Sequence, residues 1–364
     1  MTLRGRILKE KIVKTICFLA ALSASVTLFL IIGTIFLKAV PALTPYFLLT
    51  TESAAKGVGG GILNDIVGTI LLSFTATLIA TPVALGTAVY LQRYARPGRL
   101  VRWIRLFIEV LSGTPSIVIG MFGFLVFVYY MMSVTGGYSL ISGSIALAIL
   151  IMPVIERSIE DAIVTVDHTL EEGSYALGAT KWQTIRGITL PVAISGIFTG
   201  TILGFGRAAE ESAVVLMTAG YTQFMPELAV RANPKYLLGV KIYPFQDLVG
   251  TLPISVYNAY ENANVIPLSN GFAAAFVLIC VVLAINLAAR IVLRYGMGHG
   301  RGVSAPARLS RFFAPRRVDR VLEETAAVPG RESPCPFREL GLAEAGRSLV
   351  KNDERSSDPR EPEL

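Results

Sequence analysis

The chain has 364 residues, of which 53% are hydrophobic and 16% are charged, with a net charge of +7. An average soluble domain carries about 25% charged residues, so the composition excludes an ordinary soluble protein. Arginines lie beside apolar runs, which indicates a membrane rather than a nucleic acid as the partner of the positive charge. Three widely spaced cysteines and two histidines predict neither a disulfide framework nor a metal site.

The chain begins with a basic head, residues 1–11, followed by an apolar run at 12–37. A basic head and an apolar run are also typical of a cleaved signal peptide. The apolar core of a signal peptide has about 7–15 residues, and this run is longer. We therefore predict a membrane span that the mature protein retains.

Five further runs are apolar enough to cross a membrane as helices, which takes about 20 mostly apolar residues each. The sequence thus predicts an all-α integral membrane protein with its transmembrane domain at 12–293. Its six predicted spans are 12–37, 64–91, 104–132, 139–156, 191–219 and 271–293.

Cations are concentrated in the loops on one side of these spans. The loop after the second span carries five arginines, and Arg290 and Arg294 mark the end of the sixth. The loops at 38–63, 133–138 and 220–270 are poor in cations or balanced in charge. Because cytoplasmic loops carry the excess of Lys and Arg, we predict that both termini lie in the cytoplasm.

The composition changes after the sixth span. A tail follows at 294–364, and its residues 301–364 are rich in Pro, Arg, Glu, Ser and Asp and have few bulky apolar residues, which is typical of a disordered segment. We predict a disordered cytoplasmic tail. Two interpretations stay open for its basic first part: a solvated segment without an essential role, or a segment that lies against anionic membrane lipids.

A polar segment, EEGSYALGATKWQTIRGITLP at 171–191, separates the fourth and fifth spans. Asp167 is predicted to cap a helix at 168–177, which Gly178 ends in a left-handed conformation. A second short helix at 180–188 is predicted to stop before the proline that opens the fifth span. The two helices would form a surface knob, either packed on its own bundle or available to another protein.

The spacing of this segment resembles the EAA loop of ABC importer permeases, E-A-A-x₃-G-x₉-I-x-L-P. The matching positions are Glu172, Gly173, Ser174, Gly178, Ile188, Leu190 and Pro191. Gly173 and Ser174 replace the two usual alanines, and both are small enough for close docking. The resemblance implies that this loop, together with Glu171, inserts into a groove of a separate ATPase subunit.

The chain contains no G-x₄-G-K-[ST] phosphate-binding motif of its own. ATP and Mg²⁺ are therefore expected to be used by the partner ATPase, and no cofactor is expected in this chain.

Four more stretches extend the resemblance to the PstA family of phosphate importer permeases: GGGILNDIVGTILLSF (59–74), LSGTPSIVIGMFGF (111–124), LIMPVIERSIEDAI (150–163) and GRAAEESAVVLMTAG (206–220). The resemblance implies a six-helix permease of the type I importer fold in the cytoplasmic (inner) membrane. It also implies transport of phosphate by alternating access, without catalysis by this chain. The implied partners are a PstC-like permease subunit, two copies of a PstB-like ATPase and a periplasmic or extracellular phosphate-binding protein.

Three charged residues fall inside the predicted fifth span: Arg207, Glu210 and Glu211. A charge at the centre of a membrane helix costs at least about 2.5 kcal/mol unless it is paired or lies in a watery cavity. Arg207 and Glu211 are neighbours at i,i+4 and can pair along the helix. Two interpretations stay open: a route for the transported ion, or ion pairs that stabilise the bundle.

The resemblance assigns these residues to the translocation pathway. Arg207, Glu211 and Ser212 match the family pattern R-x₃-E-T-A, with serine for threonine, and Arg157 matches a second arginine of the family. Glu210 stands where the family usually has glycine, and it adds negative charge near the route of an anion.

Thr114, Pro115 and Ser116 are predicted to break the third span. Proline frees a backbone carbonyl, and a serine hydroxyl can satisfy nearby backbone groups. A broken membrane helix exposes N–H groups that an anion can use, so these three residues are included in the predicted pathway. An ordinary kink is the alternative.

Two other functions stay open beside the phosphate permease. The permease of another oxyanion importer, for molybdate or sulfate, would share the docking loop but not the other matching stretches. A membrane sensor of phosphate that does not transport would need no intact docking loop.

Overall fold

The computed structural model describes residues 3–55, 60–226, 229–232 and 240–297. The first residues of the predicted tail, 294–297, are helical rather than disordered. The disorder predicted for the rest of the tail, and both interpretations of its basic part, lie outside the described residues. The backbone of the last described helix continues to Met297, a few residues beyond the predicted end of the sixth span at 293.

The helices of the described residues follow one another in this order: α1 (Leu3–Ala39), α2 (Pro45–Leu49), α3 (Leu63–Val89), α4 (Arg99–Gly113), α5 (Ser116–Gly123), α6 (Met132–Thr135), α7 (Leu140–Val164), α8 (His168–Ala176), α9 (Lys181–Thr184), α10 (Leu190–Ala209), α11 (Ala213–Thr218), α12 (Leu252–Glu261) and α13 (Leu268–Met297). Wider π-helical segments extend α3 through Tyr90–Tyr94, extend α5 through Phe124–Tyr130, and join α9 to α10 through Ile185–Thr189.

A short antiparallel hairpin departs from the all-α prediction. Its strands are β1 (Val230–Ala232) and β2 (Val240–Ile242), with Arg231 opposite Lys241. It lies in the long loop before α12, so the membrane-spanning part stays entirely helical.

Within the described residues, five helical runs are long and apolar enough to cross a membrane: Lys11–Ala39, Leu63–Tyr94, Leu140–Val164, Lys181–Ala209 and Leu268–Ile291. They correspond to five of the six predicted spans. The remaining prediction falls on α4 and α5, which pass the same test only when they are taken together and counted as one broken span.

The predicted third span at 104–132 is broken, and α4 and α5 are bent by 103° relative to each other. The break lies at Thr114 and Pro115, whose ψ angles of 132° and 137° are extended rather than helical. Proline disfavours the helical conformation at the residue before it, so the chain changes direction where the sequence predicts a break.

The core of the bundle is built on α7 and α3. Along α7, four isoleucines at four-residue spacing, Ile151, Ile155, Ile159 and Ile163, are fully buried. Along α3, four alanines at the same spacing are buried: Ala76, Ala80, Ala84 and Ala88. Both stripes belong to one cluster, and the small residues allow close helix approach, as is common in membranes.

The buried stripe of α7 explains why the fourth span is longer than predicted. The sequence predicts a span that ends at 156, where the charged residues begin, whereas the helix continues to Val164. Ile159 and Ile163 keep the buried face apolar for two more turns, so Arg157, Glu160 and Asp161 occupy the other faces without ending the helix.

Three glycines of α10 allow this helix to lie directly against α7. A Cβ added to Gly196 would lie 2.3 Å from Ala162 Cβ, and one added to Gly200 would lie 2.7 Å from Ser158 Cβ. At Gly204 it would lie 2.4 Å from Ile155 Cγ1. This small-xxx-small face sets the position of α10, whose last turn carries Arg207.

Two predictions about the fifth span also need correction. The separate helix expected at 180–188 is continuous with the span, because the π-helical segment Ile185–Thr189 joins it to α10. Pro191 lies in the first turn of α10, where its missing N–H is tolerated. The span predicted to reach 219 instead ends at Ala209, and α11 starts only at Ala213.

Candidate functional site

Residues 167–184, which contain α8 and α9, form the knob that the sequence predicts. The side chain of Asp167 accepts a hydrogen bond from the Thr169 N–H at 2.9 Å, and this bond holds the pKa of its carboxyl below the usual range. Gly178 has a φ of 82°, in the left-handed region that favours glycine. The cap and the end of the first helix are therefore confirmed.

One face of the knob is fastened to the bundle. Glu171 is buried and accepts a hydrogen bond from Arg93 Nε at 2.8 Å and from Thr189 Oγ1 at 2.6 Å. Ser174 is buried and lies 3.0 Å from the Thr184 hydroxyl. Glu171 and Ser174, which the resemblance assigns to the docking loop, therefore face inward in this chain and hold the knob in place.

The opposite face of the knob is open. Glu172, Gly173 and Gly178 are exposed, and a Cβ at either glycine would meet nothing within 4 Å. The two remaining motif residues before the proline, Ile188 and Leu190, are half-buried, and Pro191 is exposed. These three lie on the helix of the fifth span rather than on the knob.

Apolar side chains on this open face were missed by the sequence prediction. Leu177 is 83% exposed and Trp182 is 56% exposed, and Tyr175 is also exposed. Large apolar residues that protrude from a polar loop usually mark a site where another molecule docks. The signal in the sequence was the presence of these large apolar residues in an otherwise polar segment.

Arg207 and Glu211 form the ion pair that their spacing predicts. Arg207 Nη1 lies 2.7 Å from Glu211 Oε2, and the two side chains are 41% and 5% exposed. The buried carboxylate therefore holds the guanidinium from behind and leaves part of it open. Of the residues predicted for the pathway, these two are brought together by the local helix geometry.

The open part of Arg207 faces a cavity of about 220 Å³. The cavity is lined by Val154, Leu203, Gly206, Arg207, Glu210 and Asn286. Glu210 is exposed, and no ion pair with another described residue engages it. Ser212 faces a second cavity, of about 300 Å³, which it shares with Ile117 of α5 and with α11 and α12.

Arg157 lies apart from Arg207, in a third cavity of about 350 Å³. Four acidic residues and Arg105 share this cavity: Glu109, Glu156, Glu160 and Asp161. Glu160 is bound by Arg105 Nη2 at 2.8 Å and by Gln92 Nε2 at 2.6 Å. The structure of this single chain therefore does not join the two arginines predicted for one pathway.

The break at Thr114, Pro115 and Ser116 creates a new helix start. Thr114 turns its hydroxyl back to the Val110 carbonyl at 2.7 Å, so this side chain serves α4. The carbonyl of Pro115 accepts from the Val118 N–H at 3.0 Å and begins α5 at Ser116. The first N–H groups of such a helix have no acceptor within it.

A buried polar cluster at the start of α3 was also missed. Asn64 Nδ2 donates to Asp65 Oδ1 at 2.8 Å, Ser255 Oγ donates to Asp65 Oδ2, and the Tyr221 hydroxyl donates to Glu52. Burial raises the pKa of the Tyr221 hydroxyl. The cluster joins α3 to α12 and to the loop between α2 and α3, which contains Glu52. In the sequence, the only indication of this cluster was the polar pair Asn64-Asp65 at the start of a predicted span.

Comparison with known proteins identifies a matching family and individual relatives of this chain. Residues 80–295 match the model of the family described as binding-protein-dependent transport system inner membrane component. The chain is 39% identical over 247 residues to the probable ABC transporter permease protein YqgI of Bacillus subtilis (strain 168), covering 66% of this chain and 81% of that protein. It is 36% identical over 219 residues to the phosphate transport system permease protein PstA of Pasteurella multocida (strain Pm70), covering 60% and 76%.

A solved structure has the same fold. It is a bacterial alginate ABC transporter in complex with an alginate pentasaccharide-bound periplasmic protein, and one of its chains matches with a TM-score of 0.54. The match covers 81% of this chain and 99% of that chain at 16% identity. At this identity the likeness concerns the fold alone.

Proposed function

We propose, from the premise that this chain belongs to the family of binding-protein-dependent transport system inner membrane components, that the ion it carries across the cytoplasmic membrane is inorganic phosphate. The chain is a membrane-spanning permease subunit of an ABC importer and a transport subunit rather than an enzyme. The proposal of phosphate rests on its likeness to permeases that are named for phosphate transport and on the chemistry of its charged cavity.

The observation that carries the proposal is the half-open guanidinium of Arg207. Glu211 holds it from the buried side at 2.7 Å, and its other side opens on a cavity at the end of a membrane-length helix. A guanidinium offers several N–H donors in a planar fork that matches the oxygens of phosphate. A charge placed in this position within a membrane helix is costly and is usually retained for function.

The knob supports docking of a separate ATPase. Its open face presents Glu172 beside Leu177 and Trp182, while Glu171 anchors the other face to Arg93. ATP and Mg²⁺ would be bound by that ATPase. The proposed assembly contains this chain, a PstC-like permease, two PstB-like ATPase copies and an extracytoplasmic phosphate-binding protein, with both termini of this chain in the cytoplasm.

The anchoring of the knob supports a mechanical role in alternating access. Arg93 also donates from Nη2 to the Ile163 carbonyl at 3.1 Å, so one side chain joins the ends of α3 and α7 to α8. A displacement of the knob by the ATPase would therefore move two core helices as a rigid unit. Such a movement would open the Arg207 cavity to one side of the membrane at a time.

The test is ATP-dependent uptake of radiolabelled phosphate into proteoliposomes that contain the whole importer and its binding protein. We expect uptake that requires both ATP and the binding protein. Uptake of molybdate or sulfate in place of phosphate would identify another oxyanion permease. ATP hydrolysis that responds to phosphate without any uptake would identify a sensor, and either result would contradict the proposal.

A further inference from the structure

We propose that Glu210 selects oxyanions that carry a proton, by accepting a hydrogen bond from their O–H group while Arg207 binds their ionised oxygens. This inference rests on the proposed function and refines the substrate class of the same cavity. It separates phosphate and its protonated analogues from sulfate, which carries no proton at neutral pH.

Two neighbouring side chains that line the cavity offer opposite hydrogen-bonding chemistry. Arg207 and Glu210 both line it and lie one helical turn apart, at the end of α10. A guanidinium has five N–H donors, and Glu211 engages the Nη1 of Arg207 from behind. An ionised Glu210 can only accept. A ligand that satisfies both side chains must therefore present acceptor oxygens and at least one O–H donor.

The net charge of the site does not by itself attract an anion. In this part of the described bundle, the two carboxylates of Glu210 and Glu211 accompany the single guanidinium of Arg207. A fully ionised oxyanion would place its lone pairs against Glu210 with no proton between them, which is the kind of repulsion that rejects a wrong ligand. A P–OH group would instead form a charge-assisted hydrogen bond to the carboxylate.

The location of Glu210 is unfavourable unless the carboxylate has a ligand. It follows the last residue of α10, and its N–H bonds to the Gly206 carbonyl at 3.2 Å. A negative side chain at a helix C-terminus faces the negative end of the helix dipole and gains nothing from it. Local helix stability therefore does not explain this residue, whereas an acceptor role toward a protonated anion does.

Binding measurements on the assembled transporter in nanodiscs, without its binding protein, test the inference. Radiolabelled phosphate and radiolabelled sulfate are titrated separately at neutral pH and equal ionic strength. We expect the wild type to prefer phosphate by at least about tenfold. This is far below the roughly 10⁴-fold discrimination of a closed site built around a substrate hydroxyl, because Glu210 is exposed.

Glu210→Gln keeps the shape of the side chain and adds an N–H donor that can meet a sulfate oxygen. We expect it to reduce the preference for phosphate by at least about tenfold, that is, to near unity. Glu210→Ala, which removes the acceptor without adding a donor, should reduce it as well. Glu261→Gln, which changes an exposed carboxylate on α12, is the matched control and should leave the preference unchanged.

An unchanged preference in Glu210→Gln, or an equal weakening of both anions, would overturn the inference. Equal binding of the two anions by the wild type would overturn it too. Uptake by the complete importer separates this failure from failure of the proposed function. An importer that takes up phosphate but shows an unaltered preference contradicts only the role of Glu210, whereas one that takes up no phosphate contradicts the function itself.

Discussion

Arg93 donates a hydrogen bond from Nε to Glu171 Oε1 across 2.8 Å, and the two side chains are only 8% and 7% exposed. The pair joins the end of α3 to α8 across 78 residues of sequence. It means that the knob is not a loose loop between two spans. It is attached to the bundle, with an anchored face and an open face.

The first prediction concerns this anchor. Glu171→Gln removes the charge that holds Arg93, and loss of one partner of a buried pair costs about 3–5 kcal/mol. We expect a lower melting temperature in detergent and uptake that falls more than ATP hydrolysis does, because the knob no longer moves with α3. The double variant Arg93→Gln with Glu171→Gln should recover part of the melting temperature. If the Glu171→Gln variant kept the wild-type ratio of uptake to ATP hydrolysis, the ion pair would not transmit movement.

The second prediction concerns the open face of the knob. Leu177→Asp places a charge where an apolar side chain is 83% exposed, and Glu172→Lys reverses an exposed charge. We expect normal insertion in the membrane and at least about tenfold weaker retention of the ATPase. The reason is that disrupting an anchor residue of an interface commonly costs about 2 kcal/mol of binding free energy. Retention is measured by pull-down in detergent.

The control for the open face is Glu261→Lys, the same change of charge on α12. This helix packs near the start of α3, at the opposite end from the knob. It should retain the ATPase fully. Undiminished co-purification and uptake by the Leu177→Asp and Glu172→Lys variants would mean that the ATPase docks elsewhere.

The third prediction concerns Arg207. Arg207→Gln should reduce phosphate uptake at least about tenfold, equivalent to about 1.4 kcal/mol, while the complex still assembles. The guanidinium is 41% exposed, so solvent screening reduces the cost of leaving Glu211 unpaired below that of a fully buried pair. Abundance in the membrane should therefore fall much less than transport.

The double variant Arg207→Gln with Glu211→Gln separates the two roles of Arg207. Recovery of abundance with transport still lost would support a role in translocation. If abundance and transport recovered together, Arg207 would be a structural partner of Glu211 and nothing more.

The fourth prediction concerns the glycine face of α10. Gly196→Ala would bring a Cβ to 2.3 Å from Ala162 Cβ, where neither backbone can retreat easily. Overpacking of this kind costs about 1–3 kcal/mol. Gly187→Ala is the matched control, because a Cβ there meets nothing within 4 Å, and it should be neutral or slightly stabilising. Thermal unfolding of the two variants in the same detergent measures the difference, and equal melting temperatures would contradict close packing of α10 on α7.

Features that depend on a few neighbouring residues were predictable from the sequence. The Asp167 cap, the left-handed Gly178 and the Arg207–Glu211 pair each involve residues within one or two helical turns. The five membrane-length helices followed from runs of apolar residues, because length and hydropathy alone decide whether a helix can cross a bilayer.

Features that depend on packing between distant segments were decided only by the tertiary structure. The sequence places Glu171 in the docking loop but does not reveal that Arg93 and Thr189 bind its carboxylate. It also places Arg157 and Arg207 in one pathway, whereas they line separate cavities of the described chain. The third span has the composition of a membrane helix on both sides of Pro115, yet its halves diverge by 103°. Apolar periodicity tells which face of a helix is buried, but the partner of that face and the angle between two helices depend on side-chain shapes brought together from distant parts of the chain.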